Sequence, residues 1–179
     1  MRGTADLSGG FHVRCFCDSC RGTARLAGAP DPGAEGVPLM QIAPDRMRFE
    51  AGADLLEPLR LFDRSRVLRW RARCCGDVLF STALAPWMPA AGLVDRVVDD
   101  PAAAGPERAR VFLPPERPGG PQRHEGLAAL AAAFVRRTAA AIARRAPRRD
   151  PLAAGGRYPA PRRMTAEEAA RAFPDGAPL

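Results

Sequence analysis

The sequence contains no lysine and no asparagine, so all 27 of its basic residues are arginine. Together with frequent alanine, glycine and proline, this bias is typical of a GC-rich coding sequence. We therefore give the formal net charge of +7 little weight as evidence for a polyanionic partner. A nucleic-acid-binding face would need arginines clustered on one surface, whereas these are spread along the whole chain.

No apolar run approaches the roughly 20 residues that a membrane-spanning helix needs, which argues against a membrane partner. The N-terminal residues also lack the basic region and apolar stretch of a secretory signal. We therefore expect a cytoplasmic protein, in which thiols stay reduced. The five cysteines, an odd number, are then predicted to bind a metal or to be catalytic rather than to form disulfides.

Short segments of alternating apolar and polar residues, separated by turn residues, predict a mainly β protein. One hairpin is expected to join residues 55–62 to residues 67–73, and in its second strand Arg69, Arg71 and Arg73 alternate as on a half-solvated strand. The predicted unit is a small antiparallel β domain over residues 1–98. Its candidate strands cover residues 11–17, 40–42, 47–49, 55–62, 67–73 and 78–82.

The second half of the chain has a different composition. Residues 99–123 are rich in proline and glycine and are interpreted as a connector, and residues 124–179 as a helix followed by an irregular extension. A helix is predicted over residues 124–146, because Pro147 ends a segment with helical periodicity. Thr165 is predicted to cap a last short helix. The residues with helical spacing are Leu127, Leu130, Phe134 and Ile142.

Three cysteines within six residues are the most informative segment of the sequence. Residues two apart in an extended chain face the same side, so the sulfurs of Cys15 and Cys17 can converge. A turn over Asp18 and Ser19 would return Cys20 to them. Tetrahedral zinc needs thiolates about 2.3 Å from the metal, and this arrangement can supply three. We therefore predict a Zn²⁺ ion bound by this cluster.

The number of ligands in this cluster bears on function. Structural zinc is normally closed by four protein groups, whereas three leave a position for water or substrate. Zinc with three thiolates carries a formal charge of −1, which would suit a soft sulfur ligand or a neutral group in the fourth position. Arg14 and Arg21 flank the cluster and either offset that charge or are solvated.

A second pair of cysteines, Cys74 and Cys75, is separated from Cys20 by 53 intervening residues. Adjacent residues in a strand face opposite ways, so at most one of the two should join a given metal site. Three roles stay open: a fourth ligand that closes the first site, half of a second metal site, or a vicinal disulfide.

The segments Cys15–Arg21 and Arg73–Gly76 resemble the superfamily of glutathione-dependent formaldehyde-activating enzymes and centromere protein V. The likeness is greatest to a bacterial branch in which adjacent cysteines replace a Cys-x-x-Cys motif. It covers residues 1 to about 95, and residues 158–168 are also similar to that branch. The resemblance implies a β-tent of small antiparallel sheets around zinc.

The resemblance also implies which residues bind metal. Its central motif, which holds the zinc of the active site, maps onto Cys15, Cys17 and Cys20. A second, structural zinc would use Cys75, with Cys74 in a shifted position, and an earlier Cys-x-Cys motif that this chain lacks. We expect that the start codon is misassigned or the gene truncated, and that the native protein carries this motif, which the genomic sequence upstream would decide. Without it, the structural zinc lacks half of its ligands.

Two main functions follow from these predictions. The resemblance implies a carbon–sulfur lyase that acts on a thiol adduct, such as a glutathione conjugate. The alternative is a non-catalytic, zinc-stabilised binding module with an arginine-rich surface. A thiol redox switch would use the same cysteines. His12 is interpreted as structural or solvated and Asp18 as a turn residue, so no general base is predicted.

Overall fold

A computed structural model describes residues 1–176 of the chain, with backbone alone at Pro101 and Ala104. Those residues form eleven strands and three helices, which confirms a mainly β fold with C-terminal helical structure. The strands are β1 Arg2–Ala5, β2 Phe11–Cys15, β3 Val37–Ile42, β4 Met47–Ala51, β5 Leu56–Arg60, β6 Val67–Ala72, β7 Val78–Ala83, β8 Ala91–Val94, β9 Ala109–Leu113, β10 Arg123–Glu125 and β11 Arg162–Arg163. The helices are α1 Asp18–Leu26, α2 Leu127–Ala143 and α3 Ala166–Ala172.

Most of the strands belong to one large sheet. Its strand order is β10-β9-β2-β3-β8-β7-β6-β5-β11, and β1 pairs with β4 in a separate two-stranded sheet. Only the β2–β9 and β5–β11 pairs of the large sheet are parallel. The predicted hairpin is confirmed, since β5 and β6 are antiparallel neighbours. The strands predicted at residues 40–42 and 47–49 lie in β3 and β4, which belong to different sheets.

Buried and partly exposed side chains alternate along β2, which shows that one face of the sheet packs against the core. Phe11 and Val13 of β2 are each 1% exposed, and Cys15 continues the same face. Farther along the sheet, Trp70 stacks on Phe80 with ring centroids 5.9 Å apart. Each such fully buried side chain stabilises the fold by about 1.5–3 kcal/mol relative to an exposed one.

The segment predicted as a connector, residues 99–123, contributes β9 to the large sheet. This strand runs parallel to β2, with Cys15 opposite Val111, and the amide of Phe16 donates to the carbonyl of Val111 over 2.9 Å. Its five residues lie between proline-containing stretches, and the composition of those stretches obscures so short a strand. A strand that sequence analysis missed therefore supports the backbone at the cysteine cluster.

The long helix is confirmed as α2, although its buried face is not the one formed by its larger apolar residues. Ala133, Arg137 and Ala141 are buried, whereas Leu127 and Ile142 are at least half exposed. Small alanine side chains let the helix lie close to its neighbours and leave space around the guanidinium of Arg137. Within residues 1–176, no helix combines the length and hydropathy needed to cross a membrane.

The last helix, α3, begins at the predicted capping residue. The Thr165 side chain accepts from the amide of Glu168, and the Glu168 carboxylate accepts from the amide of Thr165. At the end of α3, the Phe173 ring packs on Gly22 of α1, where a β-carbon would lie 2.5 Å from the ring. The extension is therefore packed on the element that carries Cys20; its last residues, 177–179, lie outside the described part.

Glu168 also joins the extension to the sheet through charge. Arg162 donates to both of its carboxylate oxygens over 2.8 Å, and Arg71 of β6 lies 2.5 Å from one of them. These hydrogen bonds, of which those from Arg162 contribute most, lower the pKa of Glu168 to about 2. Because this pKa is depressed on folding, its stabilisation is present above the pKa of the unfolded state and is lost as the pH falls towards 2.

We predict that Glu168→Gln lowers the free energy of unfolding at pH 7 by up to about 3 kcal/mol, since each pKa unit corresponds to about 1.4 kcal/mol. The measurement is urea denaturation at pH 7, 5, 4 and 3. The deficit relative to the native sequence should shrink as the pH falls below about 4.5, where the unfolded carboxylate becomes protonated.

The matched control is Glu167→Gln, which changes an exposed neighbour in the same helical turn. It should alter stability by no more than about 0.5 kcal/mol at any of these pH values. A deficit for Glu168→Gln that stays constant from pH 7 to pH 3 would show that charge at this position does not stabilise the fold.

Candidate metal centre

The backbone between β2 and α1 brings three cysteines together. Cys15 is the last residue of β2, which is paired on both sides, with β3 and β9. Cys17 is extended, with φ −69° and ψ 151°, and its carbonyl accepts from the amides of Cys20 and Arg21 at 3.0 and 3.1 Å. The predicted turn over residues 18–19 is therefore the first turn of a nine-residue helix, which sequence analysis missed.

The three sulfurs converge as predicted. The Sγ atoms of Cys15, Cys17 and Cys20 all lie within 4.8 Å of one another, and those of Cys15 and Cys17 are 3.2 Å apart. A tetrahedral ion with sulfur ligands at 2.3 Å requires sulfurs about 3.8 Å apart, a value between these two distances. In the described part of the chain, this is the one group of three or more potential ligands with such spacing. The residues therefore fit a metal ion.

Two of the three cysteines are buried and the third is partly exposed. Cys15 and Cys20 are 5% and 6% exposed, whereas Cys17 is half-buried. No disulfide joins any of the five cysteines, and all are free thiols. Cys17 is therefore the most solvent-accessible residue of the cluster.

Hydrogen bonds among the three thiols shift the pKa values of Cys15 and Cys20 in opposite directions. The hydrogen bond to Cys17, followed by that to Cys20 and by burial, raises the pKa of Cys15. The thiols of Cys15 and Cys17, with the positive charge of Arg69, hold the pKa of Cys20 well below its usual range. The start of α1 adds a partial positive charge near these sulfurs. The cluster thus favours a thiolate, the form of cysteine that binds metals.

Arg69 is the residue at this centre that sequence analysis misplaced. Its alternation with Arg71 and Arg73 predicted a half-solvated side chain, but Arg69 is only 5% exposed. Its Nη2 donates to Ser19 Oγ over 2.8 Å and lies 3.9 Å from Cys20 Sγ. No carboxylate in the described residues pairs with it, so its charge is available to the cysteine cluster.

The two arginines that flank the cluster in sequence have other partners. Arg14 lies 2.5 Å from a carboxylate oxygen of Glu107, and Arg21 lies 3.0 Å from one of Asp31. These carboxylates neutralise the arginines locally. The charge of a three-thiolate metal site would therefore be offset by Arg69, 49 residues away in sequence from Cys20, rather than by its neighbours.

The structure does not bring Cys74 and Cys75 to this group. Both are exposed in the turn between β6 and β7. From Arg69, which contacts Cys20, β6 runs three further residues before that turn, about 10 Å at the usual rise of a strand. Neither residue therefore closes the three-sulfur cluster in this structure, and their other two roles, in a second metal site or a vicinal disulfide, remain predictions.

Neither of the two polar residues considered as helpers belongs to the cluster. His12 Nδ1 donates to the carbonyl of Gly105 over 3.0 Å, and its Nε2 lies 3.3 Å from Asp95 Oδ2. Being three residues from Cys15 on the same strand, it faces the other side of the sheet. Asp18 is largely exposed and lies 3.9 Å from Arg21. Their geometry supports the structural interpretation of both residues.

A small cavity lies beside Cys20 and Arg69. Its volume is about 20 Å³, and its walls are mainly apolar, with Arg96 as a second basic residue. A space of this size holds about one water molecule. In this conformation, the buried side of the cluster can therefore take a water-sized group but no larger ligand.

No protein-family model matches the chain, and no curated protein matches it. The assignment of this site therefore depends on the geometry of the three sulfurs and on the charge beside them.

We predict that Arg69→Met weakens zinc binding by about tenfold or more, because residues that support metal ligands typically contribute 10–100-fold to affinity. Methionine keeps much of the buried volume and removes the charge. Competition with a chromogenic chelator measures the dissociation constant.

Arg73→Met is the matched control, since Arg73 lies just beyond the same strand, is exposed and donates to the Asp54 carbonyl. It should leave zinc affinity unchanged within about twofold. Equal zinc affinities for the two variants would contradict a role for Arg69 at the metal centre.

Proposed function

We propose that this protein binds one zinc ion through Cys15, Cys17 and Cys20 and keeps the fourth zinc position for an exogenous ligand. The convergence of the three sulfurs within 4.8 Å is the observation that supports this proposal. The donor set contains sulfur alone, which favours soft or borderline metals over Mg²⁺ or Ca²⁺. Among such metals, zinc forms stable tetrahedral thiolate sites without redox chemistry.

The proposed activity is that of a carbon–sulfur lyase on a thiol adduct, and it depends on the resemblance to glutathione-dependent formaldehyde-activating enzymes. In such a reaction, the carbon–sulfur bond of a hemithioacetal breaks and its electron pair stays with sulfur. The proton of the adduct hydroxyl passes to the released thiolate, which gives an aldehyde and a free thiol. A bound zinc would supply Lewis-acid stabilisation of the sulfur or oxygen. The chain's own residues would hold the metal and, through Arg69, balance its charge.

The structure offers one observation for the alternative, a non-catalytic zinc-stabilised module. The cavity beside Cys20 holds about one water molecule, so a glutathione conjugate would have to approach from the side of Cys17. In the alternative, the zinc ion stabilises the fold and the arginine-rich surface binds a partner. The two functions share the same metal site and differ in turnover.

We predict about one zinc ion per chain in protein purified under reducing conditions and little or none in Cys17→Ser, because two remaining thiolates bind zinc much more weakly than three. Metal analysis by mass spectrometry measures the stoichiometry. The matched control is Cys75→Ser, an exposed cysteine outside the cluster, which should keep the metal. Loss of zinc from Cys75→Ser together with full retention in Cys17→Ser would overturn the assignment.

Turnover is tested separately on the zinc-loaded chain. Exchange between free and thiol-bound formaldehyde, followed by NMR with glutathione, should be faster with the native chain than with Cys17→Ser. If the native chain carries one zinc ion and its exchange rate still equals that of Cys17→Ser, the binding module is favoured over the lyase.

A further inference from the structure

A second site is indicated by a cavity at the start of β2, the end of that strand away from Cys15, against helix α2. Its volume is about 250 Å³. One wall is a face of α2, and the others come from the turn before β2, the end of β3 and the residue before β9. The residues of α2 and of its C-cap that line it are spaced by three and four, as on one helix face: Ala133, Arg136, Arg137, Ala140 and the C-cap Arg144.

Arg137 is the central residue of this cavity. It is 7% exposed, and its Nη2 donates to Gln41 Oε1 over 3.0 Å. Its Nε and Nη1 are buried and have no hydrogen-bond partner within the described residues. A buried guanidinium ion without an anion is costly, since both its charge and its N–H groups have lost water. Burial accordingly lowers the pKa of Arg137.

Four further arginines surround the same space. Arg46 is paired with Asp6, and Arg144 lies 3.1 Å from Asp45. Arg108 and Arg136 also line the cavity, and no carboxylate pairs with either in the part of the chain that the structure describes. The five guanidinium groups around the cavity are thus paired with two carboxylates. About three positive charges remain without an anionic partner among the described residues.

We propose that this cavity binds a small phosphate-type oxyanion, either inorganic phosphate or the phosphate group of a monoester. Guanidinium groups suit such an anion because they donate paired N–H bonds to tetrahedral oxygens. The anion would neutralise the charge of Arg137 and accept hydrogen bonds from the guanidinium groups that line the cavity. A volume of about 250 Å³ lies just below the range for drug-sized ligands and suits a compact one.

The shape of the site favours a small anion over nucleic acid. A nucleic acid strand needs an extended basic track with aromatic side chains on which bases stack. Two aromatic rings lie near the arginines. Phe11 is 1% exposed and lies under the guanidinium of Arg108 at 4.9 Å, and the half-buried Phe134 lies under that of Arg137 at 5.7 Å. Because a guanidinium covers a face of each ring, the two do not form a row of open platforms for bases.

The test measures binding of inorganic phosphate to the full chain by titration calorimetry and by thermal unfolding, against chloride at equal ionic strength. At a phosphate concentration ten times the dissociation constant, the melting temperature should rise by about 4 °C. Arg137→Met, which keeps volume and removes the buried charge, should weaken binding at least tenfold. Its melting temperature without phosphate should equal or exceed that of the native chain.

Two more variants keep the proposal falsifiable. Arg136→Ala changes an exposed residue of the cavity and should weaken phosphate binding several-fold, whereas Arg148→Met changes an exposed arginine beyond α2 that does not line the cavity. The latter should bind phosphate normally. Tighter binding of a phosphate monoester than of phosphate would support a monoester ligand.

Three outcomes would overturn the proposal. The first is that phosphate and chloride have the same effect on the heat of titration and on the melting temperature. The second is that all three variants lose phosphate binding equally. The third is that phosphate has no effect, whereas single-stranded DNA binds in a salt-sensitive way that Arg137→Met leaves intact. The last outcome would assign the basic surface to a polyanion.

Discussion

The pairing of β2 with strands on both sides is the constraint on which the cysteine centre depends. Because β3 and β9 fix the backbone as far as Cys15, and the carbonyl of Cys17 begins α1, the three sulfurs have little freedom to separate. The candidate metal site thus lies at a strand-to-helix junction. The remaining elements act on this junction indirectly: β9 holds the backbone of Phe16, β6 supplies Arg69, and Phe173 at the end of α3 packs on Gly22 of α1.

Sequence spacing could predict the cluster because the cause is local. Two cysteines two residues apart on a strand face the same side, and a turn three residues later is enough to return the third. The hairpin of β5 and β6 and the capping box at Thr165 were likewise predictable, since each depends on residues close in sequence. Helix α1 was not, because Gly22 and Thr23 lower its helix propensity and packing against α3 compensates.

The position of an arginine in the fold could not be predicted from the same local pattern. Arg69 and Arg73 share a periodicity, yet one is buried beside Cys20 and the other exposed. Their exposure differs because α1 packs over the end of β6 that carries Arg69, and Cys20 of α1 is 49 residues from Arg69 in sequence. Arg137 is a second case, since the small neighbours Ala133 and Ala141, rather than an apolar stripe, decide which face of α2 is buried. Composition alone explained the abundance of arginine but not its placement.

The most direct test of the account is the X-ray absorption spectrum at the zinc edge, recorded on a zinc-loaded variant in which both Cys74 and Cys75 are replaced by serine. Only Cys15, Cys17 and Cys20 can then contribute thiolate sulfur. We predict three sulfur neighbours at the thiolate distance of about 2.3 Å and one lighter neighbour. A first shell of nitrogen and oxygen, with one sulfur or none, would contradict it.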